Sequence, residues 1–432
     1  MYVSENISIN ENGNLTVAGV DTVELAKQYG TPLYVFDEEL IRNNLREFKR
    51  SIDENYGGNG MVSYASKAFC CKEIYRICKQ EGVGVDVVSG GELYTALSVD
   101  FPADKISFHG NNKTYDELEF AVEKGVGRII VDNITELKNL SAIASEKGKN
   151  VGIMLRIKPG IDAHTHDFIM TGQIDSKFGF ALETGEAMQA VKLALETPCV
   201  ELKGLHCHIG SQIFDIDPFE LAAKVMLEFY RTIKNETGAE FEELNLGGGF
   251  GIKYLETDSP RPFAEYMQKV AGVVKETCAE LELAVPAILI EPGRSVVGAA
   301  GLTLYTVGAV KTIPDIRTYV SVDGGMADNP RYALYQSDYE VVCANKASQP
   351  RTQKVTVAGK CCESGDLIQE NTVLQSVEPG DILAVLSTGA YNYSMASNYN
   401  RIPRLPSVFV KDGASRVVVK RETYEQLVQN DI

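Results

Sequence analysis

Short apolar runs alternate with longer amphipathic segments along the chain from about residue 62 onward. Such alternation of strand-like and helix-like segments is typical of βα units that wrap a parallel sheet. The pattern contains eight apolar runs, which is the number of strands in a closed (β/α)8 barrel. The runs cover 62–66, 84–88, 105–109, 128–132, 151–157, 202–208, 243–246 and 287–291.

Two of the segments between these runs show helical spacing most clearly. Apolar residues recur every third position in 133–147 and every fourth position in 218–235. These residues are Ile134, Leu137, Leu140 and Ile143 in the first segment, and Leu221, Val225, Phe229 and Ile233 in the second. Each stripe predicts a helix whose apolar face packs on the barrel.

The pattern changes beyond residue 295, where runs rich in Val, Thr and Tyr are separated by Gly, Pro and Asp turns. The runs are 302–310, 317–322, 354–357, 381–385 and 407–411, and they predict an all-β domain. The N-terminal runs 7–9 and 15–17 are similar in style, and a helix is expected over 23–29. The sequence therefore predicts an α/β plus all-β protein. A TIM barrel would cover 36–290, and a β-barrel or sandwich would combine 291–432 with 1–35.

Composition narrows the class of ligand. A chain of 432 residues with 44% hydrophobic and 23% charged residues is long enough for two folded domains. A net charge of -17 opposes binding to nucleic acid or to anionic membranes, so a small-molecule ligand is favoured.

Cysteine usage and the N-terminus indicate a cytoplasmic location. The nine cysteines are an odd number and contain no CxxC repeat, which favours neither a disulfide framework nor a zinc ribbon. The first residues lack a basic segment followed by an apolar core, and no apolar stretch is long enough to span a membrane.

Active sites of (β/α)8 enzymes lie at the carboxyl ends of the strands, so the polar residue that closes each run is a candidate. Lys67 closes the first run; a lysine there can form an imine with an aldehyde, although a solvated surface lysine is the commoner case. Asp86 and His109 close the next two runs and can equally cap loops. His206 and His208 point to the same side of a strand, but a metal site is disfavoured because no carboxylate or third histidine lies at ligand spacing.

The seventh run is followed by residues suited to bind an anion, and the eighth run ends in a residue suited to bind a cation. The segment 247–251 (GGGFG) lets backbone approach a phosphate closely, although three glycines more often form only a tight turn. Glu291 emerges from a fully apolar strand, so its carboxylate needs a partner. A protonated pyridine nitrogen is one such partner, and Arg294 is the simpler alternative.

Five motifs taken together resemble one known family. They are Ser66-Lys67, 206–211 (HCHIGS), 247–249 (GGG), 291–294 (EPGR) and 361–365 (CCESG). In this order they resemble the alanine racemase-like, fold type III decarboxylases that use pyridoxal 5'-phosphate, and the similarity covers nearly the whole chain. That resemblance implies a cofactor-binding barrel followed by a β domain to which the N-terminal segment returns.

The resemblance also implies residue roles. Lys67 would bind the cofactor aldehyde as a Schiff base, His208 would stack on the ring, and Glu291 would keep the pyridine nitrogen protonated. The other implied cofactor ligands are Asp86, Ser211, Gly248, Gly249, Gly293, Arg294 and Tyr391, with Glu92 and Arg156 in support. Arg294, Arg331, Tyr335 and Tyr391 would bind substrate. Cys362 and Glu363 would come from the other subunit of a homodimer, as proton donor and as partner of the distal ammonium.

Substrate motifs resemble the family members that act on diaminopimelate more than those that act on ornithine or arginine. They are 175–179, 204–212, 323–331 and 397–400. The implied reaction is decarboxylation of meso-2,6-diaminopimelate to L-lysine and CO2, the last step of lysine biosynthesis. The alternatives are a decarboxylase of another diamino acid or carboxynorspermidine and, less favoured, a racemase or a non-catalytic regulatory homologue. Tyr332 and 392–393 depart from the commonest family pattern.

Overall fold

The computed structural model describes residues 2–161 and 176–432. The strands of the first half are β1 (Ile7–Ile9), β2 (Leu15–Val17), β3 (Val20–Asp21), β4 (Leu33–Asp37), β5 (Gly60–Ala65), β6 (Gly84–Val87), β7 (Ile106–Phe108), β8 (Arg128–Val131), β9 (Val151–Lys158), β10 (Phe180–Ala181), β11 (Val200–Cys207), β12 (Glu243–Asn245) and β13 (Ala287–Ile290). The remaining strands are β14 (Gly301–Ile313), β15 (Arg317–Val322), β16 (Val341–Cys343), β17 (Gln353–Ala358), β18 (Leu367–Leu374), β19 (Ile382–Val385), β20 (Ser407–Lys411) and β21 (Ala414–Val419).

The helices lie mostly between the barrel strands. They are α1 (Thr22–Tyr29), α2 (Glu38–Tyr56), α3 (Lys72–Glu81), α4 (Gly90–Leu97), α5 (Tyr115–Lys124), α6 (Ile134–Lys147), α7 (Glu186–Glu196), α8 (Asp217–Thr237), α9 (Phe263–Glu280), α10 (Arg294–Val297), α11 (Arg331–Tyr335), α12 (Asn392–Met395) and α13 (Tyr424–Val428). Among the described residues, no helix is both long and apolar enough to cross a membrane. All nine cysteines are free thiols.

Eight parallel strands close into the predicted barrel. Strands β5 to β9 pair in sequence, β11, β12 and β13 continue the ring, and β13 pairs with β5 to close it. Each predicted run differs from its observed strand by at most two residues at either end. The carboxyl ends of all eight strands therefore lie at one face of the barrel, where the candidate residues were expected.

The two predicted helices are present, but one predicted stripe is wrong in part. Helix α6 begins after Asn133, whose side chain accepts a hydrogen bond from the Glu136 amide, and its apolar stripe is at least half-buried. In α8, Leu221 is 49% exposed, and the buried face instead carries Phe219, Ala222 and Met226. In a helix of 3.6 residues per turn, each residue of a stripe spaced by four lies about 40° further around the helix than the one before. The stripe therefore leaves the buried face.

The second large sheet runs β18-β17-β15-β14-β4-β20-β21, with β19 pairing β14 and β16 pairing β19. It confirms the predicted C-terminal β domain. The N-terminal strands β1 and β2 do not enter this sheet; they form a small sheet with β3 whose apolar residues Leu15 and Val17 belong to the same buried cluster as Leu33 and Leu302.

Strand β4 is the N-terminal strand that does enter the large sheet, between β14 and β20. All five of its residues are buried, and like the barrel strands it is a short, continuous apolar run rather than an alternation of apolar and polar residues. The domain boundaries 36–290 and 291–432 stay a prediction. Strand β4 (Leu33–Asp37) extends across the predicted boundary at residue 36.

Candidate active site

A cavity of about 510 Å³ opens at the carboxyl ends of the barrel strands, a size within the usual range of small-molecule sites. Twelve residues predicted for the site line it: Lys67, Asp86, His208, Ser211, Gly248, Gly249, Glu291, Gly293, Arg294, Arg331, Tyr335 and Tyr391. Lys67 lies in a short 3₁₀ turn after β5 and its side chain is exposed, so its amine is accessible from the cavity mouth. One cavity thus brings together residues at the barrel strand ends with residues of α11 and of the turn before α12.

Glu291 lies on the cavity floor, directly after β13, and is 8% exposed. Its Oε1 accepts from Asn245 Nδ2 and lies 2.7 Å from His109 Nε2, while its Oε2 lies 3.1 Å from His206 Nε2. Burial alone would raise the pKa of this carboxyl, but the two histidines hold it well below its usual value. Glu291 is therefore ionised, and its partners are these residues rather than Arg294.

Asp86 on β6 shows the opposite behaviour in the same cavity. It is 3% exposed, and no described residue makes a hydrogen bond to its Oδ1. Burial raises its pKa well above the ordinary value, the negative charge of Glu291 raises it further, and Lys67 lowers it. Two carboxyl groups with divergent pKa values in one cavity are typical of a functional site.

The glycine turn after β12 is built for close backbone approach. A Cβ on Gly248 would lie 2.1 Å from the Glu291 carbonyl oxygen, and one on Gly249 would lie 2.6 Å from the Gly210 carbonyl oxygen. Gly249 also has a φ of 116°, which favours glycine. His208 joins this turn because its Nδ1 accepts from the Gly248 amide at 3.3 Å. The turn therefore requires glycine, which the sequence alone left undecided.

Arg294 opens helix α10 beside this turn. Its Nη2 donates to Ser211 Oγ at 3.0 Å, and its Nη1 donates to the Tyr254 hydroxyl. Its guanidinium carbon also lies 4.8 Å from the ring centroid of Tyr391. A cation, a hydroxyl and close backbone thus converge beside Gly248, as phosphate binding requires.

A second arginine also lies near the Tyr391 ring. Arg331 on α11 has its guanidinium carbon 5.4 Å from the Tyr391 ring centroid and 5.3 Å from that of Tyr335. It is 8% exposed, and its buried Nε has no hydrogen-bond partner in the part of the chain that the structure describes. A buried cation with an unsatisfied donor in a cavity wall is suited to bind an anionic group of a ligand.

Cys362 and Glu363 are not among the residues that line this cavity. Both are exposed, in the loop between β17 and β18. The loop is fixed at its base by Asp366, whose two carboxylate oxygens accept from the amides of Met326 and Cys361 at 2.6 Å each. Within one chain these two predicted residues therefore do not join the others. Asp175 of the predicted substrate motifs lies outside the described residues.

Several residues at the site have contacts that the sequence pattern does not predict. His109, a strand-end candidate that could equally cap a loop, and His206, which could also face a metal, both contact Glu291. Asn245 is not predicted because the apolar run 243–246 ends at Leu246, whereas the strand itself ends at Asn245, the position to inspect in a barrel. Arg156, expected to support the site, lines the cavity with its guanidinium carbon 4.2 Å from the Phe178 ring centroid.

These residues fit pyridoxal phosphate. Lys67 offers an amine, Ser211, Gly248 and Arg294 offer a hydroxyl, close backbone and a cation that suit a phosphate, and the ionised Glu291 suits a protonated ring nitrogen. Among the described residues of the cavity lining, Lys67 and three arginines face two acidic side chains, and this excess of positive charge favours an anionic cofactor and substrate carboxylates.

Comparison with known proteins agrees with this geometry. Residues 39–298 match the family model described as "Pyridoxal-dependent decarboxylase, pyridoxal binding domain". Diaminopimelate decarboxylase from Bacillus methanolicus is 52% identical over 422 residues, with 98% of each chain covered. Diaminopimelate decarboxylase from Bacillus subtilis is 49% identical over 432 residues, covering 100% of this chain and 98% of the relative.

Solved structures show the same likeness over the whole fold. Diaminopimelate decarboxylase from M. jannaschii in co-complex with L-lysine superposes with a TM-score of 0.90 at 36% identity, covering 100% of this chain and 99% of that one. The Helicobacter pylori enzyme complexed with L-lysine superposes at 0.86 with 31% identity, covering 95% and 98%. The chain thus belongs to the diaminopimelate decarboxylase family, the carboxy-lyases of fold type III whose cofactor is pyridoxal phosphate.

Proposed function

We propose that this chain decarboxylates meso-2,6-diaminopimelate to L-lysine and CO2, the last step of lysine biosynthesis. The observation that carries the proposal is the single cavity in which Lys67, the ionised Glu291 and the buried Arg331 meet. Relatives about half identical over the full chain are named for this activity, and two similar structures hold L-lysine, the product.

The cofactor would be held at three points. Lys67 would bind its aldehyde, Glu291 would hold a proton at the ring nitrogen, and His208 would lie against the ring. The phosphate would rest on the glycine turn, and the residues assigned to that end are Ser211, Gly248, Gly249, Gly293, Arg294 and Tyr391. Pyridoxal phosphate, when bound, accepts the electron pair that decarboxylation releases from the substrate. Burial lowers the pKa of His208 well below its usual value, so this imidazole is neutral.

Arg331 and Tyr335 would bind the carboxylate at the substrate's distal end, with Arg294 and Tyr391 beside them. The planar guanidinium can make two parallel hydrogen bonds to a carboxylate, and the buried Arg331 Nε has no hydrogen-bond partner among the described residues. Ornithine has no distal carboxylate, so it would leave this charge unpaired. This difference gives the site its selectivity.

The active site would be completed by a second copy of the chain in a homodimer. Cys362 of the other subunit would deliver a proton to the substrate Cα, and Glu363 would bind the distal ammonium. Two features support this: both side chains are exposed, and neither lines the cavity of its own chain. The hydrogen bonds from Met326 and Cys361 to Asp366 fix the base of the loop that would present them.

Substrate choice is tested by supplying the purified protein and pyridoxal phosphate with meso-diaminopimelate, ornithine or arginine in turn, and measuring CO2 and the amine product. We expect L-lysine from meso-diaminopimelate and little product from the other two. Arg331→Gln should lower kcat/KM for meso-diaminopimelate by about 100-fold, since a charge-assisted pair contributes about 3 kcal/mol, while cofactor affinity stays unchanged. Equal turnover of ornithine by the wild type would exclude this assignment.

Sharing of the site is tested by mixing inactive subunits. Lys67→Ala and Cys362→Ala chains, mixed after dissociation, should recover about a quarter of wild-type activity, because half of the dimers are mixed and each has one intact site. Lys67→Ala mixed with the Lys67→Ala/Cys362→Ala double variant is the matched control and should recover none. The absence of recovery in the first mixture would mean that Cys362 acts within its own chain.

A further inference from the structure

The residues around Glu291 form a buried group of three donors, here called the donor cage: His109, His206 and Asn245. They are 6%, 1% and 0% exposed. Three nitrogen atoms reach the two carboxylate oxygens at 2.7, 2.7 and 3.1 Å. Each belongs to a different barrel strand end, so the rigid ring of strands fixes the group.

The Asn245 amide has its orientation fixed by the glycine turn. Its Oδ1 accepts from the Gly247 amide at 2.9 Å, which leaves its NH2 group to donate to Glu291. The same turn supplies the proposed phosphate site. The position of the phosphate end and the orientation of Glu291 are thus linked through one side chain.

The two imidazoles are neutral and carry a proton on the nitrogen that faces Glu291. Within residues 2–161 and 176–432 the buried His206 Nδ1 has no hydrogen-bond partner, whereas Nε2 faces Glu291. Burial lowers the pKa of His206 to about 4 and lowers that of His109 as well. Neutral donors stabilise the carboxylate without cancelling its charge, whereas an imidazolium would compete with a protonated ring nitrogen for it.

A metal site is the other use for this group, since ligand atoms of His109, His206 and Glu291 lie within 4.8 Å of one another. The spacing of residues along the sequence does not show that the Glu291 carboxylate lies beside His206. A tetrahedral zinc ion with bonds of about 2.1 Å would hold its ligand atoms about 3.4 Å apart. The contact of 2.7 Å between His109 and Glu291 is shorter and is an ordinary hydrogen-bond length. Hydrogen bonding therefore accounts for the arrangement better than a missing ion.

We propose that His109, His206 and Asn245 are positioning residues that hold Glu291 ionised and aimed at the cofactor's ring nitrogen. None of the three needs to touch the substrate. The inference rests on the proposed function, because only a cofactor with a basic ring nitrogen gives the caged charge its use. The cage itself is a property of this chain alone and is measurable without cofactor.

The test follows the Glu291 carboxyl group in the cofactor-free protein by ¹³C NMR with carboxyl-labelled glutamate, using Glu291→Gln to identify its signal. In the wild type we expect Glu291 to stay ionised from pH 5 to 8. His109→Leu and His206→Leu should each raise its pKa by about one unit or more, because each removes a hydrogen bond to a charged group. His206→Gln keeps an amide donor and should restore most of the wild-type behaviour.

Two further variants keep the test decisive. Asn245→Asp preserves size, replaces the donor with a second acid, and should raise the pKa of Glu291 even if a leucine variant fails to fold. Ser107→Ala is the matched control: Ser107 lies on the strand that leads to His109, and its buried hydroxyl has no hydrogen-bond partner. It should leave the Glu291 signal unchanged.

A second readout uses pyridoxal phosphate labelled with ¹⁵N in the ring. The ring nitrogen should be protonated in the wild type and in Ser107→Ala, and should lose its proton at lower pH in the leucine variants. If the pKa of Glu291 does not change in folded variants of His109, His206 or Asn245, the proposal that these residues hold Glu291 ionised would be overturned. Failure of the wild type to take up the cofactor would overturn the proposed function instead, while the Glu291 titration would still decide whether the cage exists.

Discussion

Adding one methyl group to the glycine turn should weaken cofactor binding by about 5- to 100-fold. In Gly248→Ala the new Cβ would lie 2.1 Å from the Glu291 carbonyl oxygen and 2.9 Å from the carbon that carries it. Ordinary contact requires more than 3 Å, so the two strand ends must separate by about 1 Å. The Glu291 amide, however, is tied to the Gly247 carbonyl at 2.8 Å.

The cost is that of forcing a methyl group into a packed region, about 1–3 kcal/mol. If this energy is lost from binding, the factor is about 5- to 100-fold, since 1.4 kcal/mol corresponds to a tenfold change in affinity. The displacement would move the phosphate cradle and Glu291 together, so both ends of the cofactor would lose contacts. A fluorescence titration of the cofactor-free protein with pyridoxal phosphate measures the change, and thermal unfolding measures any loss of stability.

Gly272→Ala provides a matched control. Gly272 lies inside α9, and a Cβ there would have no neighbour within 4 Å. Replacement of a helical glycine should stabilise the protein by about 0.5–1 kcal/mol and leave cofactor affinity unchanged. If Gly248→Ala bound pyridoxal phosphate as tightly as Gly272→Ala and unfolded at the same temperature, the reasoning about the glycine turn would be refuted.

Three further predictions concern stability. Because the pKa of His206 is lowered to about 4, the unfolded chain binds more protons than the folded one between pH 4 and about 6.5. The free energy of unfolding should therefore fall by about 3 kcal/mol as pH falls through this window. Urea unfolding measures this change, and His206→Gln should show a flatter profile. Asp366→Ala removes two hydrogen bonds of 2.6 Å from backbone amides and should destabilise the protein by about 2–4 kcal/mol. Ser364→Ala, in the same exposed loop, should not destabilise it. Equal melting temperatures of the two variants would contradict this prediction. Thr114→Ala breaks the capping box with Glu117 at the start of α5 and should lower the free energy of unfolding by about 1 kcal/mol. A loss of stability smaller than that of a surface control variant would count against this prediction.

The barrel could be predicted from the sequence because its signal is local. Each strand is a short apolar run between turn and helix patterns, so eight positions were found with end errors of two residues or fewer. Strand β4 is a short buried apolar run as well, but its place in the fold is not local, because its partners β14 and β20 lie hundreds of residues away. No local pattern assigns such a strand to its sheet.

The candidate site was predictable where its residues close strands or belong to family motifs, as Lys67, Gly248 and Glu291 do. The partners of Glu291 were not predictable, because His109, His206 and Asn245 come from three separate strands and meet only when the barrel closes. The nearby Arg294 was the natural candidate by sequence spacing, but it turns toward Ser211 and Tyr254. Sequence proximity therefore misled at the point where closure of the barrel decides the contacts.

The most direct test of the central claim is an absorbance spectrum of the purified protein with pyridoxal phosphate, followed by addition of meso-diaminopimelate with CO2 and L-lysine measured together. We predict a visible band from the lysine-bound cofactor that is absent in Lys67→Ala, and equal amounts of CO2 and L-lysine. A visible band that persists in Lys67→Ala, or a wild-type protein that binds the cofactor and releases no L-lysine, would contradict the account.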